Sequence, residues 1–211
     1  MEFELTGTPL PNWNISINAS KQKASQTSLG ASISSFIEMQ HSKFEGPAGD
    51  LRIWWGGGDV GNTARGLYNQ NVWAAYQFQK QTNGKMTPEM APWRCNAVTN
   101  YSFDHGFLKG FNVGGGYRWQ QGSILGYALN SALDNLDVDK PYWSKSTYAV
   151  DAWAGYGHKL SRKIDWRIQL NIRSLDSKTH LEPISIQPDG SPAGYRIVQG
   201  QTWEITNTLN F

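Results

Sequence analysis

The amino-acid sequence predicts an all-β fold: an antiparallel, up-and-down transmembrane β-barrel segment of about seven strands, an incomplete barrel with a long, partly helical outer loop. Three features predict it. Apolar and polar side chains alternate with period two over most of the chain, short turns alternate with long connections, and aromatic residues gather near both ends of the apolar faces. The composition of the 211 residues fits: 39% are hydrophobic and 17% charged, with 22 Gly, 10 Trp, 9 Tyr and 8 Phe. Charge this sparse beside this many rings argues against a disordered chain and against a long-helix protein. A formal charge of +2 lacks the basic excess that nucleic-acid binding requires. The single cysteine, Cys95, excludes an internal disulfide and a Cys-based zinc site. No run of about 20 apolar residues offers a transmembrane helix. A mean hydropathy of −0.53 still suits a barrel wall, because half of its side chains face a polar lumen. Residues 1–5 have no basic stretch followed by an apolar one, so a signal peptide is not expected there.

In chain order, Phe3 and Leu5 against Glu2 and Glu4 give a short stub. Trp13, Ile15 and Ile17 then alternate with Asn14, Ser16 and Asn18. Trp93, Cys95, Ala97, Thr99, Tyr101 and Phe103 oppose Arg94, Asn96, Val98, Asn100 and Ser102. Phe111, Val113, Gly115, Tyr117 and Trp119 oppose Asn112, Gly114, Gly116, Arg118 and Gln120. Tyr148, Val150, Ala152, Ala154 and Tyr156 oppose Asp151, Trp153, Gly155 and Gly157. Ile164, Trp166, Ile168, Leu170 and Ile172 oppose Asp165, Arg167, Gln169, Asn171 and Arg173 with no position out of phase. Trp203, Ile205, Leu209 and Phe211 oppose Glu204, Thr206, Thr208 and Asn210. A helix would scatter each of these sets around its circumference, whereas a strand puts each on one face.

Residues 7–11, 104–109 and 158–163 are short turns; residues 20–92, 121–146 and 174–201 are long connections. That asymmetry is the plan of an outer-membrane barrel, with short periplasmic turns and long outer loops. With the short turns periplasmic, Trp13, Phe103, Phe111, Tyr156, Trp166 and Phe211 fall near one rim, and Trp93, Trp119, Tyr148 and Trp203 near the other, as amphipathic rings do at two lipid–water interfaces. None of the outward positions named is Lys, Arg, Asp or Glu. A one-residue slip at 164–173 would place Asp165, Arg167 and Arg173 in lipid, at up to about 2–4 kcal/mol each, so the register is strongly specified. A lipocalin-like barrel or jelly roll is the soluble alternative, with the apolar face as its core.

The connection 20–92 departs from period two. Leu29, Ile33, Phe36, Ile37 and Phe44 recur at helical spacing, with Thr27 or Ser28 as N-caps. Tyr68, Val72, Ala75 and Tyr76 predict a second helix within 62–81, and Thr87-Pro88-Glu89 reads as a helix start. In 174–201, residues 181–187 and 195–198 flank Pro188-Asp189-Gly190 as a small hairpin. The whole of 1–211 is expected to be one unit, with 20–92 as an outer loop.

Candidate chemistry is thin. Gly56, Gly58 and Gly61 spell a dinucleotide fingerprint, but the acidic residue expected about 20 positions on is absent, and a Gly turn is the better reading. Glu38 and His41 have the spacing of one carboxylate–histidine metal pair, where a di-iron bundle needs two and further Glu. His41, His105, His158 and His180 lie on separate loops and turns. No nucleophile–base pair can be assembled, so no catalytic residue, metal or cofactor is expected. On the polar face, Arg94, Arg118, Asp151 and Arg173 line the inner wall near its outer mouth, with Trp153 deeper. They read either as cross-strand ion pairs, for example Arg173 with Glu204, or as a solute-binding vestibule. Trp54, Trp55, Trp73 and Trp143 on the loops could stack on a flat or sugar-like ligand.

The final run, Gly200 through Trp203 and Leu209 to Phe211, is similar to the C-terminal signal read by the outer-membrane assembly machinery, with Thr206 and Leu209 departing from its usual residues. Across the chain, residues 2–13, 96–101, 109–119 and 163–211 together resemble the C-terminal β-barrel portion of a TonB-dependent outer-membrane receptor. The resemblance implies a Gram-negative outer-membrane location, a barrel of about 22 strands with a plugged lumen, and energised uptake of ferric siderophores, cobalamin or glycans through TonB. It also implies lipid, the remaining barrel, the plug and the assembly machinery as partners. No plug segment or TonB box is recognisable here, so the expectation is a fragment that does not transport by itself. A small soluble ligand-binding β-barrel and, further off, an outer-membrane hydrolase on a β scaffold are the alternatives.

Overall fold

The computed structural model describes residues 1–28, 30–53, 62–131 and 135–211. Its strands are β1 (Glu2–Leu10), β2 (Trp13–Lys21), β3 (Trp93–Ser102), β4 (Phe111–Gln120), β5 (Ile124–Leu129), β6 (Leu136–Trp143), β7 (Thr147–Lys159), β8 (Asp165–Arg173), β9 (His180–Ile186), β10 (Pro192–Val198) and β11 (Thr202–Asn210). Seven of them form one antiparallel sheet in the order β1-β2-β3-β4-β7-β8-β11, and β5–β6 and β9–β10 are separate hairpins. The sheet is thus up-and-down, with both hairpins inserted in its long connections. It is not closed: β1 and β11 are its two edges. Its strands are 9 to 13 residues long, which matches the roughly 9–11 tilted residues that span a bilayer.

The pairing carries the alternation from strand to strand. Trp13 faces Tyr101, Tyr101 faces Val113, Val113 faces Ala154, Ala154 faces Leu170 and Leu170 faces Ile205. One face of the sheet is therefore predominantly apolar from strand to strand. Near the short turns its rings touch: Tyr101 and Phe103 lie 4.9 Å apart, Phe111 and Tyr156 4.5 Å, and Tyr156 and Trp166 6.0 Å. Near the long connections Trp119 faces Tyr148, Ile172 faces Trp203, and Lys21 lies over the Trp93 ring. Eight residues separate Phe111 from Trp119, about 27 Å along a strand and about 20 Å after a 40° tilt, close to the apolar band of an outer-membrane barrel. Two polar side chains interrupt this face, and a rim tryptophan satisfies each. Trp13 Nε1 donates to Thr99 Oγ1 at 2.8 Å and Trp166 Nε1 donates to Asn207 Oδ1 at 2.7 Å.

None of the described residues covers the sheet. Among the described residues the buried apolar side chains are Tyr76, Ala91, Ile124 and Tyr127, all in the long connections. Ile205 on the apolar face is 70% exposed. Trp166, Ile168 and Leu170 are half-buried by their neighbours within the sheet and lie in no enclosed core. A soluble domain buries such a face against a second layer; here there is none. The clefts of the sheet open on the polar side instead.

The connection between β2 and β3 folds as a helical cap: α1 (Ser34–Glu45), α2 (Ala64–Tyr68) and α3 (Ala74–Thr82), with one π-turn, Asn69–Trp73, joining α2 to α3. Side chains tie the cap together. Tyr68 Oη donates to the Ile37 carbonyl at 2.6 Å, Tyr76 Oη to Glu38 Oε1 at 2.6 Å, and Lys80 Nζ to the same oxygen at 3.0 Å. Arg65 reaches the carbonyls of Phe44, Glu45 and Gly46 and pairs with Asp50 at 2.9 Å. Gly49 is fixed by close approach, since a Cβ there would collide with the Phe44 carbonyl. The β5–β6 hairpin docks on this cap and on β9: Phe78 meets Tyr127 edge-on, the Glu89 amide donates to the Ile124 carbonyl at 3.1 Å, and Gly126 packs on the Ile186 backbone.

The Tyr76 hydroxyl, and after it Lys80, hold the Glu38 carboxyl below its ordinary value of 4.5. A depressed carboxylate stabilises above its unfolded pKa and loses that contribution as pH falls through its folded one. The packing of α1 on α3 is expected to loosen as pH drops below 4.5. Amide exchange in the two helices, measured against pH, checks this; Glu38→Gln should remove the dependence.

Several sequence expectations need correction. The stub is a full strand, β1, paired with β2 from Glu2 to Leu10 across a bulge, so the first short turn is only Pro11–Asn12. The α1 N-cap is Ile33 without a side-chain bond, not Thr27 or Ser28; Ser28 has φ 59° and its amide donates to Asn83 Oδ1. Thr87-Pro88-Glu89 starts no helix: it is a turn with Glu89 at φ 65°, pinned by the Thr87 amide on the Ala24 carbonyl. Residues 121–146 hold the β5–β6 hairpin where only a loop was expected. Leu29, Trp54, Trp55, Gly56, Gly58 and Gly61 lie outside the described residues. The flanks of that Gly stretch pair antiparallel, Arg52 with Thr63.

Candidate functional site

The polar face presents its densest cluster on β4, β7, β8 and β11 toward the long connections. Asp151 anchors it. Its carboxylate accepts from Arg118 Nη2 at 3.0 Å and from the Ser174 amide at 3.0 Å, with Ser174 at φ 52° where β8 leaves the sheet. The side chain of Asp151 is 23% exposed and that of Arg118 58%, so the carboxylate is held while the guanidinium stays open to solute. Arg173 and Glu204 stand 4.0 Å apart, both largely exposed, a pairing of little energetic weight. Asp151, Trp153, Asn171, Arg173 and Glu204 line a shallow groove of about 240 Å³.

Trp153 forms the floor of this cluster. It faces Gly114 on β4 and Asn171 on β8. Its indole lies flat across β4, and Nε1 donates to Asn100 Oδ1 on β3 at 2.9 Å. This is possible because Gly114 has no side chain: a Cβ there would collide with the indole. One residue thus spans three strands. Gly114→Val is expected to cost about 1–3 kcal/mol by overpacking, and nearly nothing in a Trp153→Ala background. Urea unfolding of the assembled protein in detergent, as a double-mutant cycle, reads the coupling.

Of the five polar-face residues expected from sequence, Asp151, Trp153 and Arg173 share the groove, and Arg118 joins them through Asp151. Arg94 stands apart, opposite Ser20 and Gln120. Sequence reasoning missed Asn100, Asn171 and Gly114. The run Gly114-Gly115-Gly116 was the available signal, because a glycine strip on a wall leaves room for a ring from the next strand. Trp203, Leu209 and Phe211 all stand on the apolar face of β11 or just past it and are exposed. Of the histidines, His41 stacks on Trp73 at 3.6 Å and His158 on Tyr156 at 6.2 Å. Among the described residues no three His, Cys, Asp or Glu side chains converge as metal ligands. The groove can therefore offer hydrogen bonds, a guanidinium and a ring face to a solute.

No family model matches the sequence, and no curated protein does. Solved structures share the fold. The ferripyoverdine receptor of the outer membrane of Pseudomonas aeruginosa, determined with ferripyoverdine bound, aligns over 99% of this chain and 19% of its own, at 16% identity and a TM-score of 0.51. A chain of the FpvAI–pyocin S2 complex aligns over 99% of this chain and 18% of its own, at 15% identity and a TM-score of 0.50. The likeness is one of fold: the chain has the strand architecture of part of a receptor barrel and spans about a fifth of the length of these structures.

Proposed function

We propose that this chain is part of an outer-membrane active transporter, forming one portion of the barrel wall of a TonB-dependent receptor in a Gram-negative bacterium. The whole of 1–211 then acts as one unit, with 20–92 as a folded outer loop. The transported solute is a siderophore, cobalamin or glycan, and the Asp151–Trp153–Arg173 groove, with Arg118 beside it, is a contact on its path. Arg94 lies on the same wall, away from that groove. The remaining strands and a plug complete the pore, and TonB engages through the plug. Trp203, Leu209 and Phe211 are the residues the assembly machinery would read. The chain acts without catalysis.

One observation carries this reading: the sheet is a single layer, apolar between two aromatic belts on one face and polar on the other, with none of the described residues packed on either. In a soluble binding barrel the apolar face would line the interior. Lipid is the solvent that makes an uncovered apolar face favourable.

The test is fractionation of the native cell. Recovery in the outer membrane after carbonate washing, release only by detergent, and loss of TonB-dependent solute accumulation on deletion support the proposal. Recovery as a soluble, monodisperse protein without detergent would refute it.

A further inference from the structure

The short-turn end of the sheet carries charges that the transport reading does not use. The turn between β3 and β4 and the turn between β7 and β8 lie side by side, because β4 pairs with β7 and the Gly157 amide donates to the Gly110 carbonyl at 2.9 Å. Together they bring Lys109, Arg162 and Lys163 to one rim, all exposed and, among the described residues, none ion-paired. The acidic groups there are Asp104, which contacts His105, and the Phe211 carboxylate just past β11; Asp165 stands on the polar face opposite Lys159. Three cations against two carboxylates leave the rim basic. At the loop end Arg65, Lys80, Lys85, Lys140 and Arg196 each hold a carboxylate, and the unpaired Lys23, Lys43, Lys145 and Lys178 lie dispersed over separate connections.

Two apolar side chains project beside the cations. Phe107 is 96% exposed and Leu160 56%, although the backbone bonds of both turns are closed. The Phe103 amide donates to Phe111, that of Gly110 to Phe103, and those of Leu160 and Ser161 to Ile164. Compact turns that present a ring, an aliphatic side chain and unpaired cations directly below an aromatic belt have the chemistry of a surface meeting anionic lipid headgroups. Water alone gives no reason to expose Phe107 fully.

We propose that this rim docks on anionic phospholipid headgroups of the leaflet at the short-turn end, with Lys109, Arg162 and Lys163 on the phosphates and Phe107 and Leu160 among the upper acyl carbons. The proposal rests on the membrane reading above. Charge complementarity and continuity with the Phe111–Tyr156–Trp166 belt single out lipid as the occupant.

The full chain is delivered from urea to phosphatidylcholine vesicles, with or without phosphatidylglycerol, and binding is titrated by tryptophan fluorescence at low and high salt. The expected result is a preference of about tenfold or more for the anionic vesicles at low salt, fading at high salt. Lys109→Gln, Arg162→Gln and Lys163→Gln together should abolish the preference and leave phosphatidylcholine binding intact. Lys23→Gln, Lys43→Gln and Lys145→Gln together remove the same charge from the loop end and should preserve the preference. Equal losses in the two variants would show a net-charge effect and overturn the rim proposal. Binding of the three rim cations to peptidoglycan sacculi, with no preference for the anionic vesicles, would overturn it too. Recovery of the chain as a soluble, monodisperse protein that binds neither vesicle would overturn the membrane reading itself.

Discussion

Leu170→Arg is expected to keep the protein from assembling in the membrane, while Gln169→Arg next to it is expected to be tolerated. Leu170 stands on the apolar face between Ala154 and Ile205, midway along β8 between the belt at Trp166 and the belt at Trp203. An arginine at the midplane of a barrel's lipid face costs about 2–4 kcal/mol, a factor of roughly 30 to 1,000 in the folded population. Gln169 points to the polar side, where Nε2 already donates to Asn171 Oδ1 at 2.7 Å, and a guanidinium there meets water. The measurement is the fraction of protease-resistant protein in the membrane for each variant. Equal yields would mean that the alternation does not sort lipid from lumen. Ile168→Arg, one row nearer Trp166, should fall between the two, because the cost declines toward a rim.

The sheet was legible in the sequence because each of its strands has one apolar and one polar environment, so period two appears in the residues themselves. β8 is the clearest instance. β5 was not legible for the opposite reason. Ile124-Leu-Gly-Tyr-Ala-Leu129 is apolar on both sides, since it is covered by α3 and by β9, and its partner β6 contains Pro141. A doubly covered strand loses its alternation, and a proline argues against strand. β1 read as a stub because Gly7 and Pro9 interrupt its second half; an edge strand with a bulge tolerates both.

The candidate site was legible residue by residue and not as a constellation. Alternation alone put Arg118, Asp151, Trp153 and Arg173 on the inner wall. It could not show that the Trp153 indole crosses β4 to reach Asn100, because that contact depends on the lateral order of three strands and on a missing Cβ at Gly114. Nor could it separate Arg94 from the cluster. Depth along a tilted wall follows from register, and register is a property of pairs.

Produced without further strands, the chain is expected to give no monodisperse folded monomer in detergent and to aggregate in water. The reason is direction. With every neighbour antiparallel, β1, β3, β7 and β11 run one way and β2, β4 and β8 the other. The two edges, β1 and β11, are therefore parallel to each other, and joining them would break the pattern that every other pair obeys. An odd number of added strands restores it. Until then each edge presents a row of unpaired N–H and C=O groups, which cost several kcal/mol apiece in hydrocarbon and template association in water. Supplying further barrel strands in trans should rescue a folded species, and cross-links from cysteines at Thr6 and Thr208 to the added strands should appear in place of a cross-link between those two. A Thr6–Thr208 cross-link in a monomeric, detergent-folded chain would show that the sheet closes on itself and that the protein is a small barrel in its own right.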